Sequence, residues 1–351
     1  MGTSLHRYLE IKMHQAIRSR RYDKITVVGE YTRTSPSEIF HGEKTDKSFN
    51  WQCPTALIVG NELQIQCFPG YDHVEHYAEL IATYLDLQQR EGNEALTIPS
   101  NVNFIPCSCS DTQRALHSTN LKELPSDVDT VVLGLFHRLS RLTGDVEWRG
   151  GDGCFGWVVR RFNNRVVAFI GCRPSFWGDI AGEVVHYLAS FLSVREVIYF
   201  GKIGSVKKSI RPNNYLATGG RSYVQGQLVE WENSLESSTL LLALDCVIVG
   251  NHVTLGSVLH ETKDWLSTLP VYADFVDPEV GMMAQAAIRS RIKFSYLHIF
   301  SDNVAEKYVE DLSNERERSV LVGISHLYDV VQDILHHYLS TNSLKANGHR
   351  S

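Results

Sequence analysis

The chain has 351 residues, room for about two domains. Its 43% hydrophobic and 21% charged residues are the composition of a globular protein with a sizeable core, which excludes wholesale disorder. With 40 acidic against 34 basic side chains the net charge is -6, so nothing electrostatic recommends nucleic acid or another anionic polymer as a partner.

The opening residues, MGTSLHRYLEIKMHQAIRSRR, hold no apolar stretch of signal-peptide length, and His6 stands where an N-myristoylation pattern has Ser or Thr. Residues 25–29, 56–59 and 63–68 read as strands. After Pro69-Gly70 the period changes. Val74, Tyr77, Ala78, Ile81 and Leu85 recur at spacings of three and four, which predicts an amphipathic helix over 72–88. His73 and His76 share a face of it, one residue short of a zinc-binding H-x-x-E-H, and are read as part of a surface helix. A strand follows at 102–105. Residues 110–126 are polar, end in Leu-Pro-Ser-Asp and read as a link, which puts a boundary near 125.

Beyond it strand and helix alternate: a strand at 130–135, a helix at 136–142, a glycine-rich turn at 150–156, and a strand at 165–171. Asp179 then caps a helix whose stripe is Ile180, Val184, Leu188, Phe191 and Leu192, and a strand follows at 196–201. Later strands are expected at 240–249 and 294–300. The first of these is broken by Asp245 and far too short to span a membrane. Helices are expected at 278–290, with Asp277 as cap and Pro278 in the first turn, and at the C-terminus, where Ile324, Leu327, Val331, Ile334 and Tyr338 form one face. Strands that are apolar throughout, rather than alternating, need cover on both faces. The expected fold is therefore α/β, a mixed, largely parallel central sheet with helices on both faces over residues 126–345. An N-terminal α/β extension, 1–125, precedes it without an assigned role. The expected setting is the cytoplasm, with no membrane partner.

Seven cysteines without paired spacing imply free thiols in a reducing compartment. A single C-x-C at Cys107 and Cys109 lacks the second ligand pair a zinc site needs, so no metal is expected. Gly151-Asp152-Gly153-Cys154-Phe155-Gly156 matches the dinucleotide pattern, but residues 157–162 read as a strand where that motif needs a helix. No cofactor is expected.

In open α/β sheets ligands bind beyond the carboxyl ends of the strands. Four such stretches carry chemistry: Gly201-Lys202-Ile203-Gly204-Ser205, whose glycines admit a ligand close to the backbone; Gly250 to Thr254, leading to His260-Glu261-Thr262; Val276-Asp277-Pro278-Glu279-Val280-Gly281; and Ser301-Asp302-Asn303. Taken alone, Asp302 fits the cap of a helix starting near residue 304, and Glu279 a first-turn carboxylate favoured by the helix dipole.

In their order and spacing the four stretches, over roughly residues 126–340, resemble the nucleoside phosphorylase and nucleosidase superfamily. VIYFGKIGSVKKSIRPNNYLATGG is similar to that family's strand ending in Gly-Thr/Ser-x-Gly-Gly with its loop and hairpin. TLGSVLHET is similar to a loop before the ribose-binding segment, VDPEV stands for Val-Glu-Met-Glu-Ala, and FSD for Ile-Ser-Asp. The resemblance implies cleavage of an N-glycosidic bond. Such a reaction needs an acid for the departing base and an anchor for the sugar diol. Asp302 is then the acid, oriented by Ser301, and Glu279 the diol anchor. Gly201, Lys202, Gly204, Thr254, Val276 and Pro278 line the substrate site.

Several residues depart from the family pattern. Tyr199 and Lys202 stand where phosphorolytic relatives carry Arg and a hydroxyl residue, which favours hydrolysis over phosphorolysis. Lys202 is either an anion contact or a solvated lysine, and Pro278 replaces the methionine beneath the sugar. Arg173 offers an alternative anion contact, and Phe176 and Trp177 either cover a pocket or pack on the core. The expected partner is a small nucleoside, with phosphate as the alternative co-substrate, bound by a homo-oligomer. The alternatives are a phosphorolytic enzyme and a catalytically silent nucleoside or nucleotide binder.

Overall fold

The structure is a computed structural model that describes residues 3–45, 49–144, 147–236, 244–308 and 318–341. Two sheets organise it. The first has the order β2-β3-β1-β4, from Thr55–Val59 (β2), Glu62–Gln66 (β3), Lys24–Val28 (β1) and Val102–Phe104 (β4). β1 runs parallel to both neighbours, and β2 and β3 form an antiparallel hairpin. Helices Thr3–Lys12 (α1), Gln15–Ser19 (α2) and Tyr71–Arg90 (α3) accompany it. Ile25, Val27, Leu63 and Ile65 from the strands meet Val74, Tyr77, Ile81 and Leu85 from α3 in one buried cluster. The stripe read from the sequence is thus the face α3 buries.

His73 and His76 belong to that buried face as well, 3% and 4% exposed, which corrects the surface reading. His73 Nδ1 lies 2.9 Å from the Phe68 carbonyl, and His76 Nδ1 2.8 Å from the Ser257 hydroxyl. Burial takes His73 down to about 4 and His76 well below its ordinary value, so both are neutral at neutral pH.

The polar stretch after β4 is not a bare link. It forms helix Cys109–Ser118 (α4), started by a reciprocal Ser108/Asp111 capping box, and a 3₁₀ turn at Asn120–Glu123. Leu116, Leu121 and Leu124 pack into the core of the second part, and so do Phe49 and Phe68 from the first.

Among the described residues the second sheet has eleven strands. Its hub is Glu196–Ser205 (β8), which pairs in parallel with Thr130–Gly134 (β5) and Lys293–Asn303 (β15) and antiparallel with Ala273–Asp277 (β14). β5 continues to Arg165–Cys172 (β7) and, beyond it, Phe155–Phe162 (β6). β14 continues through Asn251–Thr254 (β13) to Arg221–Val224 (β10) and Gln227–Glu230 (β11), and β15 through Leu216–Thr218 (β9) to Val247–Val249 (β12). Parallel pairs predominate. Of the expected 240–249 strand only Val247–Val249 is strand (β12); residues 244–246 form the turn before it, and 240–243 lie outside the described residues.

Helices cover both faces. Asp179–Phe191 (α6) and Val280–Ser290 (α8) pack on one, with Val184, Leu188, Met283 and Ala287 against Val197, Tyr199 and Phe300. Arg318–Thr341 (α9) covers the other, with Ile324, Leu327, Val331 and Ile334 against Ile198, Phe200, Leu297 and Ile299. Phe136 to Leu142, read as one helix, is a 3₁₀ turn followed by the single-turn helix Ser140–Thr143 (α5). Among the described residues no helix is long and apolar enough to cross a membrane.

One glycine closes β5 against the hub. Gly134 has φ +120, and a Cβ there would lie 2.0 Å from the Phe200 carbonyl oxygen. Since this obstacle is backbone, Gly134→Ala is expected to cost at least about 2 kcal/mol in urea unfolding. A loss below about 0.5 kcal/mol would show that β5 can move aside.

Candidate functional site

Most of the chemistry-bearing stretches expected as loops are strand continuations. Gly201, Lys202 and Gly204 lie within β8, Thr254 ends β13, Val276 lies in β14, and Ser301 and Asp302 lie in β15. The reason is mutual pairing. Each polar or glycine-rich end finds a neighbour of equal length, and ladder hydrogen bonds override weak strand propensity.

Along β8 and β15 the register runs His298 to Gly201 and Phe300 to Ile203, then Asp302 to Gly204. Ser301 is the extra residue of a β-bulge. Without it Asp302 would face Ser205; with it the side chain turns to the opposite side of the sheet from His298. An Asp302 oxygen lies 3.0 Å from where a Cβ on Gly204 would sit, and a Val276 methyl 3.2 Å from the same point. Ser301 Oγ donates to Asp302 Oδ1 at 2.7 Å. Burial raises the Asp302 carboxyl above the ordinary carboxylate value, against the Ser301 hydrogen bond and the charge of Lys202.

Asp302 is not a helix cap. Residues 304–308 are not helical, and it is Asn303 whose side chain accepts the Ala305 N–H at 2.9 Å. A second carboxyl sits within electrostatic reach. Glu261 is held well above its ordinary value, by burial first and by Asp302 second. Around it Leu255, Leu269 and, from the short helix Lys263–Thr268 (α7), Trp265 and Leu266 pack with Val276 and Val304 in one apolar cluster. Glu261 lies in the TLGSVLHET stretch, where the sequence assigns it no role; its neighbours in space mark it.

Glu279 has other company. It is the N-cap residue of α8 and 7% exposed. Burial first and then the Asp277 charge push its carboxyl well above the usual range, the nearby Gly178 backbone pulls the other way, and Asp72 adds a further upward push. Tyr199, on the His298 side of β8, is raised well above its ordinary value by burial and then by Glu279 and Asp277. Glu279 thus keeps company with Tyr199 and Asp277, and Asp302 with Gly204 and Val276 on the opposite side of the sheet, so the strand end separates their surroundings.

On the Glu279 side lies a buried network. Asp277 Oδ1 accepts the N–H groups of Glu279 and Val280 at 2.9 and 2.8 Å, the capping role expected of it. Pro278 fits here because it has no N–H to satisfy. His252 Nε2 is 3.0 Å from the same oxygen, and His298 Nε2 3.6 Å from Oδ2. Burial opposes charge on Asp277, but His252, His298 and the Val280 N–H outweigh it, and its value falls below the ordinary one. His298 is pushed down to about 4 by burial. Ser222 Oγ joins His252 Nδ1 at 2.8 Å and Thr254 Oγ1 at 3.1 Å, and Thr254 Oγ1 accepts the Gly281 N–H at 3.0 Å. Thr254 therefore belongs to the group that holds the start of α8. Neither histidine stood out in the sequence.

Arg173 is engaged with the carbonyls of Gly153 and Phe155 rather than directed at an anion site. Phe176 is core, and Trp177 stacks on His76 with centroids 4.4 Å apart. The Gly151–Gly156 turn leads into strand β6, as expected. Among the described residues no group of three or more His, Cys, Asp or Glu side chains is placed to hold a metal ion.

The extension meets the second part at two helix ends. Asp179 Oδ2 and Oδ1 accept the N–H groups of Tyr71 and Asp72 at 2.9 and 3.1 Å, while Asp72 Oδ2 accepts the Asp179 N–H at 3.0 Å. Each of α3 and α6 is thus capped by the other's first-turn carboxylate. The cap of α6 expected from Asp179 comes instead from Asp72. Burial and the Asp179 charge raise Asp72 to about 6. Its folded value exceeds the unfolded one, so its contribution is full below about pH 4 and lost as pH rises through about 6. Asp72→Asn, which keeps an accepting oxygen, is expected to raise the melting temperature at pH 7.5 relative to wild type by more than it does at pH 4. An equal change at both would remove Asp72 as the titrating group.

No family model matches the sequence. A curated relative, the oxidoreductase cns1 of Cordyceps militaris, is 27% identical over 237 residues, 62% of this chain, and the chain spans 29% of that relative's length. Among solved structures, the Streptococcus pneumoniae MTA/SAH nucleosidase in complex with 8-aminoadenine has a TM-score of 0.48 and 14% identity, covering 61% of this chain and 100% of that one. The Campylobacter jejuni 5′-methylthioadenosine/S-adenosylhomocysteine nucleosidase gives 0.48 and 12% over 60% and 99%, and Helicobacter pylori futalosine hydrolase 0.46 and 14% over 61% and 97%.

Proposed function

We propose that the chain cleaves the N-glycosidic bond of a nucleoside derivative by hydrolysis. The observation that carries this reading is Asp302, a carboxyl turned by the Ser301 bulge onto the end of β8, oriented by the Ser301 hydroxyl and biased by burial toward its protonated form. An acid in that state can protonate a base as it departs, which removes the need to expel an anion. Glu279 is the proposed anchor of the sugar hydroxyls, on the other side of the same strand end. The nucleoside then lies across that end, where sheets of this class take their ligands. Tyr199 in place of an arginine supports water over phosphate as the nucleophile, and Lys202 and Gly204 are the proposed contacts nearest Asp302.

The test is release of free base from a panel of purine and pyrimidine nucleosides and their 5′-modified forms, with and without phosphate. Release without phosphate is expected. A strict phosphate requirement would replace hydrolysis by phosphorolysis, and ligand binding without any release would leave a silent binder.

A further inference from the structure

The buried network around Asp277 holds polar atoms that no neighbour answers. Asp277 Oδ1 accepts the amides of Glu279 and Val280. Its other oxygen, Oδ2, has no hydrogen bond among the described residues. His298 Nε2 stands 3.6 Å from it, too far for a direct bond, and has no partner among them either. The same is true of the Tyr296 hydroxyl and the Trp231 indole nitrogen. The rings adjoin, with centroids 6.3 Å apart from Trp231 to Tyr296 and 5.2 Å from Tyr296 to His298. Tyr296 and His298 are 0% exposed and Asp277 5%, so bulk solvent does not serve them. Folded proteins rarely leave one buried polar group unanswered, and here several adjoin.

The protonation states decide what can answer them. Burial takes His298 down to about 4, so it is neutral at neutral pH, with one ring nitrogen donating and the other accepting. Burial raises Tyr296 well above its ordinary value, which keeps its O–H. Against burial, His252 and His298 hold Asp277 below its ordinary value, which keeps it a carboxylate. The Trp231 nitrogen only donates and Asp277 only accepts. A cation suits Asp277 but not the indole N–H, and an anion the reverse. Water both donates and accepts, and suits both ends with either imidazole tautomer.

We propose that Trp231, Tyr296, His298 and Asp277 line an internal water site, which completes the hydrogen bonding of Asp277 and braces the carboxylate that starts α8. The site does not depend on what the chain cleaves.

The first test is urea unfolding of the full chain carrying Tyr296→Phe. Removing a hydroxyl bonded to water is expected to lower the ratio of folded to unfolded protein by about three- to tenfold. A hydroxyl without a partner is a burden to the fold, so an unchanged or raised ratio overturns the proposal. In the same variant, amide exchange at Val280, whose N–H Asp277 accepts, is expected to rise about fivefold relative to Leu188 of α6. Equal changes at both overturn the bracing. Should Tyr296→Phe not fold, a crystal structure of the wild-type chain decides. Ordered water within hydrogen-bonding distance of Asp277 Oδ2 and the Tyr296 hydroxyl is expected. A dry cluster, or a metal ion in its place, overturns the proposal.

Discussion

Arg165→Met is expected to destabilise the chain by about 3 to 5 kcal/mol, because it strands a buried carboxylate. Arg165 and Glu196 are 2% and 0% exposed and joined at 2.6 Å, tying the start of β7 to the start of β8. Glu196 also accepts from Ser234 at 2.9 Å and from Tyr338 of α9, whose ring lies under the guanidinium at 4.9 Å. One ion pair thus holds two strands and the C-terminal helix. The cost comes from leaving Glu196 unpaired rather than from losing attraction, since two buried charges barely repay their desolvation. The double change Arg165→Met with Glu196→Leu is therefore expected to recover part of the loss. Denaturant unfolding of both variants checks this, and a single-variant loss below about 1 kcal/mol would mean that water reaches the pair.

Asp302→Asn is expected to reduce base release by about 10² to 10⁴, the usual worth of a general acid, with nucleoside affinity little changed. Asn still accepts the Ser301 hydroxyl in the Oδ1 position but has no proton to give. In the wild type, kcat is expected to fall as pH rises past the elevated Asp302 value, and that limb should vanish in the variant. A fully active Asp302→Asn would shift the acid role elsewhere, and Glu261, the neighbouring carboxyl, would be the first group to replace.

Much of the architecture was legible in the sequence. Residues 165–171 are a short apolar run bounded by turn residues, 63–66 alternate apolar and polar, and the 3.6-residue stripe of α3 names the side chains that face its sheet. The strand ends were not legible, because Gly201 to Ser205 and Ser301 to Asn303 are loop formers by composition and become strand only by pairing with one another. Helix Cys109–Ser118 was hidden by its polarity. Only Thr112 and Leu116 are buried there, and its signal was the capping box at Ser108 and Asp111. At the candidate site, Asp302 and Glu279 could be named from motif spacing, but the bulge that turns one of them away from His298 leaves no mark in the sequence. Nor could the network of His252, Asp277 and His298, whose members come from three separate strands.

The exchange of caps between Asp72 and Asp179 bears on how the molecule can be dissected. A fragment beginning after β4 would start α6 with its first amides bare and would leave the face of Trp177 uncovered. Excising the extension to obtain a smaller fragment is therefore not a neutral truncation: it strips the cap from the first turn of α6.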